Sequence, residues 1–261
     1  MNSIVLAIAL TLCCLSARAE DALPQELSLA QEAAAIQSAE ATGLAIYQHD
    51  HAAAVATDAA FELRAFKQDK RVRGWITQEQ KGQIIVTFID ETPAALYRVP
   101  VSKDGVAGAV TKLETPAALS EYESGAANAR SVAVATKFQP CSEKYNSVVL
   151  PVPGVARDRW VVYLLPGTTK AGVVPIGGTY RMEVTGHVVT AQRGFTRTCI
   201  ALQNEPRAVG LMITHLLDPI PTEAHVFWGL WAKKPIYVAT PPKGTTWVVE
   251  GGKIRLIDRK G

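Results

Sequence analysis

The sequence predicts an α+β chain, with N-terminal helices packed on a mostly antiparallel β-sheet in a single domain. Three observations carry this. Residues 24–66 are alanine-rich, with apolar side chains close to helical spacing. Residues 147–257 read as a succession of short β-branched and aromatic runs joined by short loops, the pattern of antiparallel strands. Residues 75–138 mix the two textures, and no linker or composition break divides the chain.

Export is read first, from the N-terminus. Ile4 to Leu12 is an almost unbroken apolar run, followed by Cys13, Cys14, Leu15 and the small-x-small site Ala17-Arg18-Ala19. The run is shorter than the roughly 20 residues that span a bilayer, so a cleaved signal peptide over residues 1–19 is expected rather than an anchor. Cleavage after Ala19 starts the mature chain at Glu20 and places it in the periplasm or outside the cell. Of the 27 basic and 24 acidic residues, only Arg18 is lost. The mature balance, 26 against 24, argues against a nucleic-acid binder, and no later segment reads as transmembrane. An envelope or protein partner stays open.

Two of the four cysteines leave with the signal peptide. Cys141 and Cys199 remain and are expected to pair, as cysteines of exported chains do. Closing so long a loop is worth roughly 4 kcal/mol in the chain-entropy description. A catalytic thiol at Cys141 is the alternative.

Ser28-x-x-Gln31 is a capping box, and Leu29, Ala33, Ile36, Leu44 and Tyr47 form the expected apolar face of a first helix that Gly43 kinks or breaks. A second helix is expected over about Ala52–Phe66. The basic stretch Arg64–Arg73 reads as a solvated face. Ile84–Ile89 and Leu96–Val99 are strands. Thr115 as N-cap and Pro116 at the first helical position predict a helix whose face is Leu119, Tyr122, Ala126, Ala129 and Ala133. Strands are then expected at Val148–Val152, Trp160–Leu165, Thr179–Thr185, His187–Arg193, Val209–Leu216, His225–Trp231, Ile236–Thr240, Trp247–Glu250 and Lys253–Ile257. Gly251-Gly252 is the two-residue loop of the last hairpin. In the His225–Trp231 strand, Trp228 and Trp231 point to opposite faces and, with Phe227, offer an aromatic surface.

Hydrolase elbows, phosphate-binding loops, H-E-x-x-H and C-x-x-C are absent. Gly177-Gly178-Thr179-Tyr180 reads as a tight turn or an anion nest. Of the five histidines, His49 and His51 fall on different helix faces and His187 on a turn. His215 and His225 flank a proline-rich turn, Asp218-Pro219-Ile220-Pro221-Thr222-Glu223, that places imidazoles and carboxylates close in sequence.

This segment resembles the metal motif of JAB/MPN-type metallo-isopeptidases, H-x-H-P followed after a short gap by S-x-x-D. There, both histidines and the aspartate hold zinc and a distant glutamate activates water. His215 matches the second histidine, Thr222 the serine, and His225 stands at the aspartate. Pro235–Pro241 resembles the strand that follows. Ile213 replaces the first histidine and Leu216 the proline. The resemblance implies a zinc site of His215 and His225, with Asp218 or Glu223 as a third ligand. The whole chain is also similar to uncharacterised secreted bacterial proteins of about this length, through Cys141–Asn146, Gly177–Arg181 and Pro221–Phe227. That implies export and a shared fold, and no activity. Two functions therefore stand: a non-enzymatic exported binding or envelope-associated module needing no cofactor, and a JAB-like metal-dependent hydrolase with an altered or inactive site.

Overall fold

The computed structural model describes residues 24–154, 158–168 and 170–259. The signal-peptide reading lies outside the described residues. No described helix is long and apolar enough to cross a membrane. The chain is α+β, with four helices and fourteen strands among the described residues. All strand pairs are antiparallel except one.

The N-terminal part is one helix, α1 (Leu29–Phe61), rather than two; a short α2 (Arg64–Gln68) follows it. Ser28 and Gln31 form the expected capping box. Gly43 does not break α1, because it is the point of closest approach to a second helix. A Cβ there would lie 2.4 Å from the Cβ of Val226 and 2.7 Å from the carbonyl oxygen of Glu223. The buried face also differs from the expected one. Leu29, Ala33 and Leu44 are exposed, and Ala39, Gly43, Ile46, Asp50, Ala53 and Ala60 form the inward stripe. Ile36 and Tyr47 of the expected face do pack half-buried against the main core, while close approach fills the deepest positions with small residues that hydrophobicity alone does not single out.

Strands β1 (Gly74–Gln80), β2 (Gln83–Ile89), β3 (Ala95–Ser102) and β4 (Thr111–Ala117) form an antiparallel meander. The C-terminal half of α1 covers it through Ala52, Ala56 and Ala60, against Val86, Phe88, Leu96 and Val99. The helix expected from Thr115 starts later. Pro116 lies in β4, an edge strand where a missing N–H costs nothing. The competing capping box, Ser120 with Glu123, starts α3 (Glu121–Ala135). Its face of Ala126, Ala129 and Ala133 is buried as expected.

The expected single sheet is three four-stranded sheets. The second contains β5 (Tyr145–Pro151), β6 (Arg159–Pro166), β8 (Tyr180–Thr185) and β9 (Val188–Gly194), in that order. Val149, Trp160, Val162, Leu164 and Met182 face α3. Val148, Tyr163 and Leu165 face the other way, into the main core. A two-stranded pair joins β7 (Val173–Val174) to β10 (Leu202–Gln203).

The third sheet contains β11 (Leu211–Thr214), β12 (Ile236–Thr240), β13 (Thr245–Glu250) and β14 (Lys253–Asp258). Gly251 and Gly252 take φ values of 57° and 80° in the last hairpin, as a type I′ turn requires. β11 pairs with β12 in parallel, and the crossover between them is a helix, α4 (Glu223–Ala232), where a strand was expected. Its apolar run is too short for periodicity to separate a buried strand from a buried helix. Pro221 and the capping residues Thr222 and His225 decide for helix. Trp228 and Trp231, three apart, consequently share a side, with ring centroids 5.3 Å apart, and Trp228 and Phe227 are core. Val209 and Leu216 fall outside β11.

Cys141 and Cys199 are disulfide-bonded, with Cα atoms 5.3 Å apart, which leaves no catalytic thiol at Cys141. The amides of Gly177 and Gly178 donate to Ile200 O and Thr196 Oγ1, so this turn is no anion nest. His187 lies on a turn, and in α1 His49 is buried while His51 is exposed.

Candidate functional site

β11 ends beside the second sheet, and the turn after it carries the residues singled out in the sequence. His215 extends the parallel ladder, donating its N–H to Ala239 O at 2.8 Å. The turn is then pinned: Thr240 Oγ1 donates to Pro219 O at 2.9 Å, and Trp247 Nε1 donates to the same hydroxyl. Thr222 caps α4. Its backbone N–H and its hydroxyl both reach His225 Nδ1, at 3.1 and 3.0 Å. His225 thus takes the place that Glu or Gln fills in an ordinary capping box.

Of the four expected metal ligands, His215 touches both His225 and Asp218, and Glu223 is held on Tyr163. The rings of His215 and His225 meet edge to face, centroids 4.6 Å apart. Because His225 Nδ1 accepts the Thr222 N–H, its proton sits on Nε2, which is buried without a hydrogen-bond partner among the described residues. Burial, then the neighbouring His215, holds this imidazole well below 6.5 and neutral. His215 Nε2 lies 2.8 Å from Asp218 Oδ2. Asp218 also receives both Arg193 Nη1 and Nη2, at 3.2 and 2.5 Å. Burial alone would raise the Asp218 carboxyl. The His215 hydrogen bond and the Arg193 guanidinium outweigh it and hold it at about 2. Glu223 accepts from the Tyr163 hydroxyl at 3.2 Å.

Zinc needs free lone pairs at about 2.0–2.1 Å. His225 presents a proton on the nitrogen that would have to bind, and both oxygens of Asp218 are engaged by Arg193 and His215. Among the described residues no group of three His, Cys, Asp or Glu side chains is arranged to hold a metal ion. The residues present do not fit the zinc site that the motif resemblance implies.

These groups instead build one end of a cleft of about 1010 Å³ between α1, the second sheet and the turn before α4. Its floor is a cross-strand row. Tyr163 on β6 stands opposite Arg181 on β8, and Arg181 opposite Arg193 on β9, all on one face. Glu183, two residues from Arg181, pairs with it at 2.8 Å. Burial pushes the Tyr163 hydroxyl up, with Glu223's charge adding to it, so the phenol is a fixed donor. One wall is the small-residue flank of α1, including Ala35, Ser38 and Thr42; apolar contacts come from Leu150, Val161 and Ile220. Pro151, Pro153, Pro219 and Pro221 stiffen the two rims. Asp218 and Glu223 line the cleft. His215, 2 % exposed, stands behind Asp218, and His225 is deeper still.

Tyr163, Arg181, Glu183 and Arg193 were not singled out from the sequence. Their signal was present in Tyr180–Val184: Met182 and Val184 alternate with Arg181 and Glu183, marking a strand with one core face and one charged face. What periodicity does not contain is that three such strands align their polar residues in one row beside α4.

No protein-family model, curated protein or solved structure matches the chain.

Proposed function

We propose that this chain is an exported, non-enzymatic binding module, periplasmic or secreted, whose cleft between α1, β8–β9 and the start of α4 takes an amphipathic organic ligand. The observation that carries the reading is the cleft itself. Its volume is at the upper end of small-molecule sites, its lining mixes apolar and polar side chains, and several charged groups stand together at one end. Proline-stiffened rims and paired floor charges make it preformed, which lowers the ordering cost of binding. The polar groups serve recognition rather than turnover: Arg193 is matched to Asp218, Arg181 to Glu183, and the nearest imidazole, His215, is sequestered on Asp218. Export is supported by the N-terminal apolar run with its small-x-small site and by the Cys141–Cys199 disulfide, a bond that persists in oxidising compartments.

The test is a fluorescence titration with anilinonaphthalene sulfonate, an apolar anion of suitable size. Residues 20–261 should bind it saturably at one site. Ser38→Trp/Thr42→Trp adds bulk to one cleft-lining flank of α1, at positions outside the core. It should weaken binding at least tenfold while leaving the far-UV spectrum and melting unchanged. Equal binding by the wild type and the double variant would refute the reading.

A further inference from the structure

Resting on the cleft reading above, we infer that the ligand's polar end is a zwitterion, an ammonium next to a carboxylate or phosphate, carried on an apolar body. Hydrogen-bonding capacity at the floor is unevenly used. Arg193 is the more engaged of the two arginines: Asp218 takes two of its N–H groups, and its guanidinium lies over the Phe195 ring at 4.8 Å. Both oxygens of Asp218 are engaged by Arg193 and His215. Arg181 is less engaged. It gives Nη2 to Glu183, its Nε has no partner among the described residues, and its side chain is 33 % exposed. A guanidinium presents five N–H donors, so Arg181 keeps further donors beside the buried Nε. Glu223 has the opposite surplus. Among the described residues the Tyr163 hydroxyl is its side-chain donor, while a carboxylate offers about four acceptor positions.

Arg181 and Glu223 come from different elements, and Tyr163 joins them. Tyr163 is the cross-strand partner of Arg181, and its hydroxyl reaches Glu223. Residues directly opposite on one sheet face have Cβ atoms about 5 Å apart, so Arg181 and Glu223 both neighbour Tyr163. A ligand carrying one charge would fill the open positions of one group and leave those of the other desolvated and unfilled, which is costly. An ammonium and an anionic oxygen on neighbouring atoms satisfy both. The apolar body then runs along Leu150, Val161, Ile220 and the alanine flank of α1.

Two sources supply this chemistry: an apolar amino acid, and an ethanolamine phospholipid headgroup. The probes are L-phenylalanine and lysophosphatidylethanolamine below its micellar concentration, each displacing anilinonaphthalene sulfonate from residues 20–261. N-acetylphenylalanine, which lacks the ammonium, and phenylalaninamide, which lacks the carboxylate, are the controls. Displacement by phenylalanine identifies the amino-acid source, and displacement by the lysolipid alone identifies the lipid source. Where phenylalanine displaces, each blocked analogue should be at least tenfold weaker. Arg181→Gln should remove the preference for a zwitterion over its uncharged-acid counterpart, and Glu223→Gln, which keeps size and the Tyr163 contact, the preference over the N-blocked one. Where the lysolipid alone displaces, both variants should weaken it at least tenfold. If neither zwitterion displaces the dye, or the blocked analogues compete equally with phenylalanine, the inference is overturned. It also fails if the lysolipid alone displaces but is indifferent to both variants. In each of these cases dye binding that is lost in Ser38→Trp/Thr42→Trp leaves the cleft reading standing. Dye binding that ignores the double variant overturns both.

Discussion

Arg193 grips both carboxylate oxygens of Asp218, at 3.2 and 2.5 Å, and thereby ties the floor strand β9 to the turn that launches α4. This pair explains why the residues that resemble a metal motif behave differently here. The guanidinium supplies the positive charge that a zinc ion would otherwise bring to the carboxylate. His215 then adds a hydrogen bond from behind.

Asp218→Asn should destabilise the fold by about 1–3 kcal/mol, because it removes a charge-assisted, two-point contact and leaves Arg193 without its counter-ion. The sign of its pH dependence follows from the depressed carboxyl. Asp218 titrates at about 2 in the fold, against an ordinary 3.8. Its contribution is complete above the ordinary value and is lost as pH falls through 2. Urea unfolding at neutral pH and near pH 2.5 measures both, and the gap between wild type and variant should narrow at the acid end. A variant as stable as wild type at neutral pH contradicts this.

Gly43→Ala should be destabilising although alanine is the better helix former by about 1 kcal/mol. The added Cβ would meet the Val226 side chain and the Glu223 carbonyl inside contact distance, so α1 and α4 must separate. A net loss of about 1–3 kcal/mol is expected, read by thermal or chemical denaturation. A stabilised Gly43→Ala would show that the two helices do not meet at this residue.

His49 supplies an acid-sensitive element. It is buried, and its ring Nδ1 lies 2.7 Å from Thr77 Oγ1. Burial lowers its pKa from 6.5 to about 4, with Glu79 opposing weakly. The unfolded chain therefore binds a proton at 6.5 that the folded chain refuses until about 4, and stability falls with pH across that window, by up to about 1.4 kcal/mol per pH unit. Asp50 acts in the other sense: burial raises its carboxyl, so the fold gains from its protonation as pH drops. His49→Gln keeps a hydrogen-bonding side chain and removes the titration. Its stability should depend less steeply on pH between 6.5 and 4 than that of the wild type. Parallel curves would contradict the assignment.

Much of the secondary structure was legible in the sequence, and the errors share a cause. Strand alternation and the Ser28, Gly251 and Gly252 signals are local, and they hold. The Gly43 break, the Thr115 helix start and the His225–Trp231 strand fail where a partner decides: Val226 against Gly43, Ser120–Glu123 against Pro116, and the Thr222–His225 cap against an apolar run that fits either period. The site was half legible. The proline-rich turn gathers Asp218, Glu223, His215 and His225 as their sequence proximity implies. The partners of the two carboxylates were not legible, because Arg193 and Tyr163 arrive from strands 25 and 60 residues away.

Mapping where a probe sits shows whether the cleft is the ligand site. The measurement is hydrogen exchange of residues 20–261 with and without saturating anilinonaphthalene sulfonate. Binding in the cleft predicts slowed exchange in three segments from separate elements, 35–45 of α1, 180–185 of β8 and 218–226 at the start of α4, with β4 and α2 unchanged. Slowed exchange confined to other exposed apolar residues, such as Val209 and Met212 around the edge strand β11, or no change anywhere, would contradict the account.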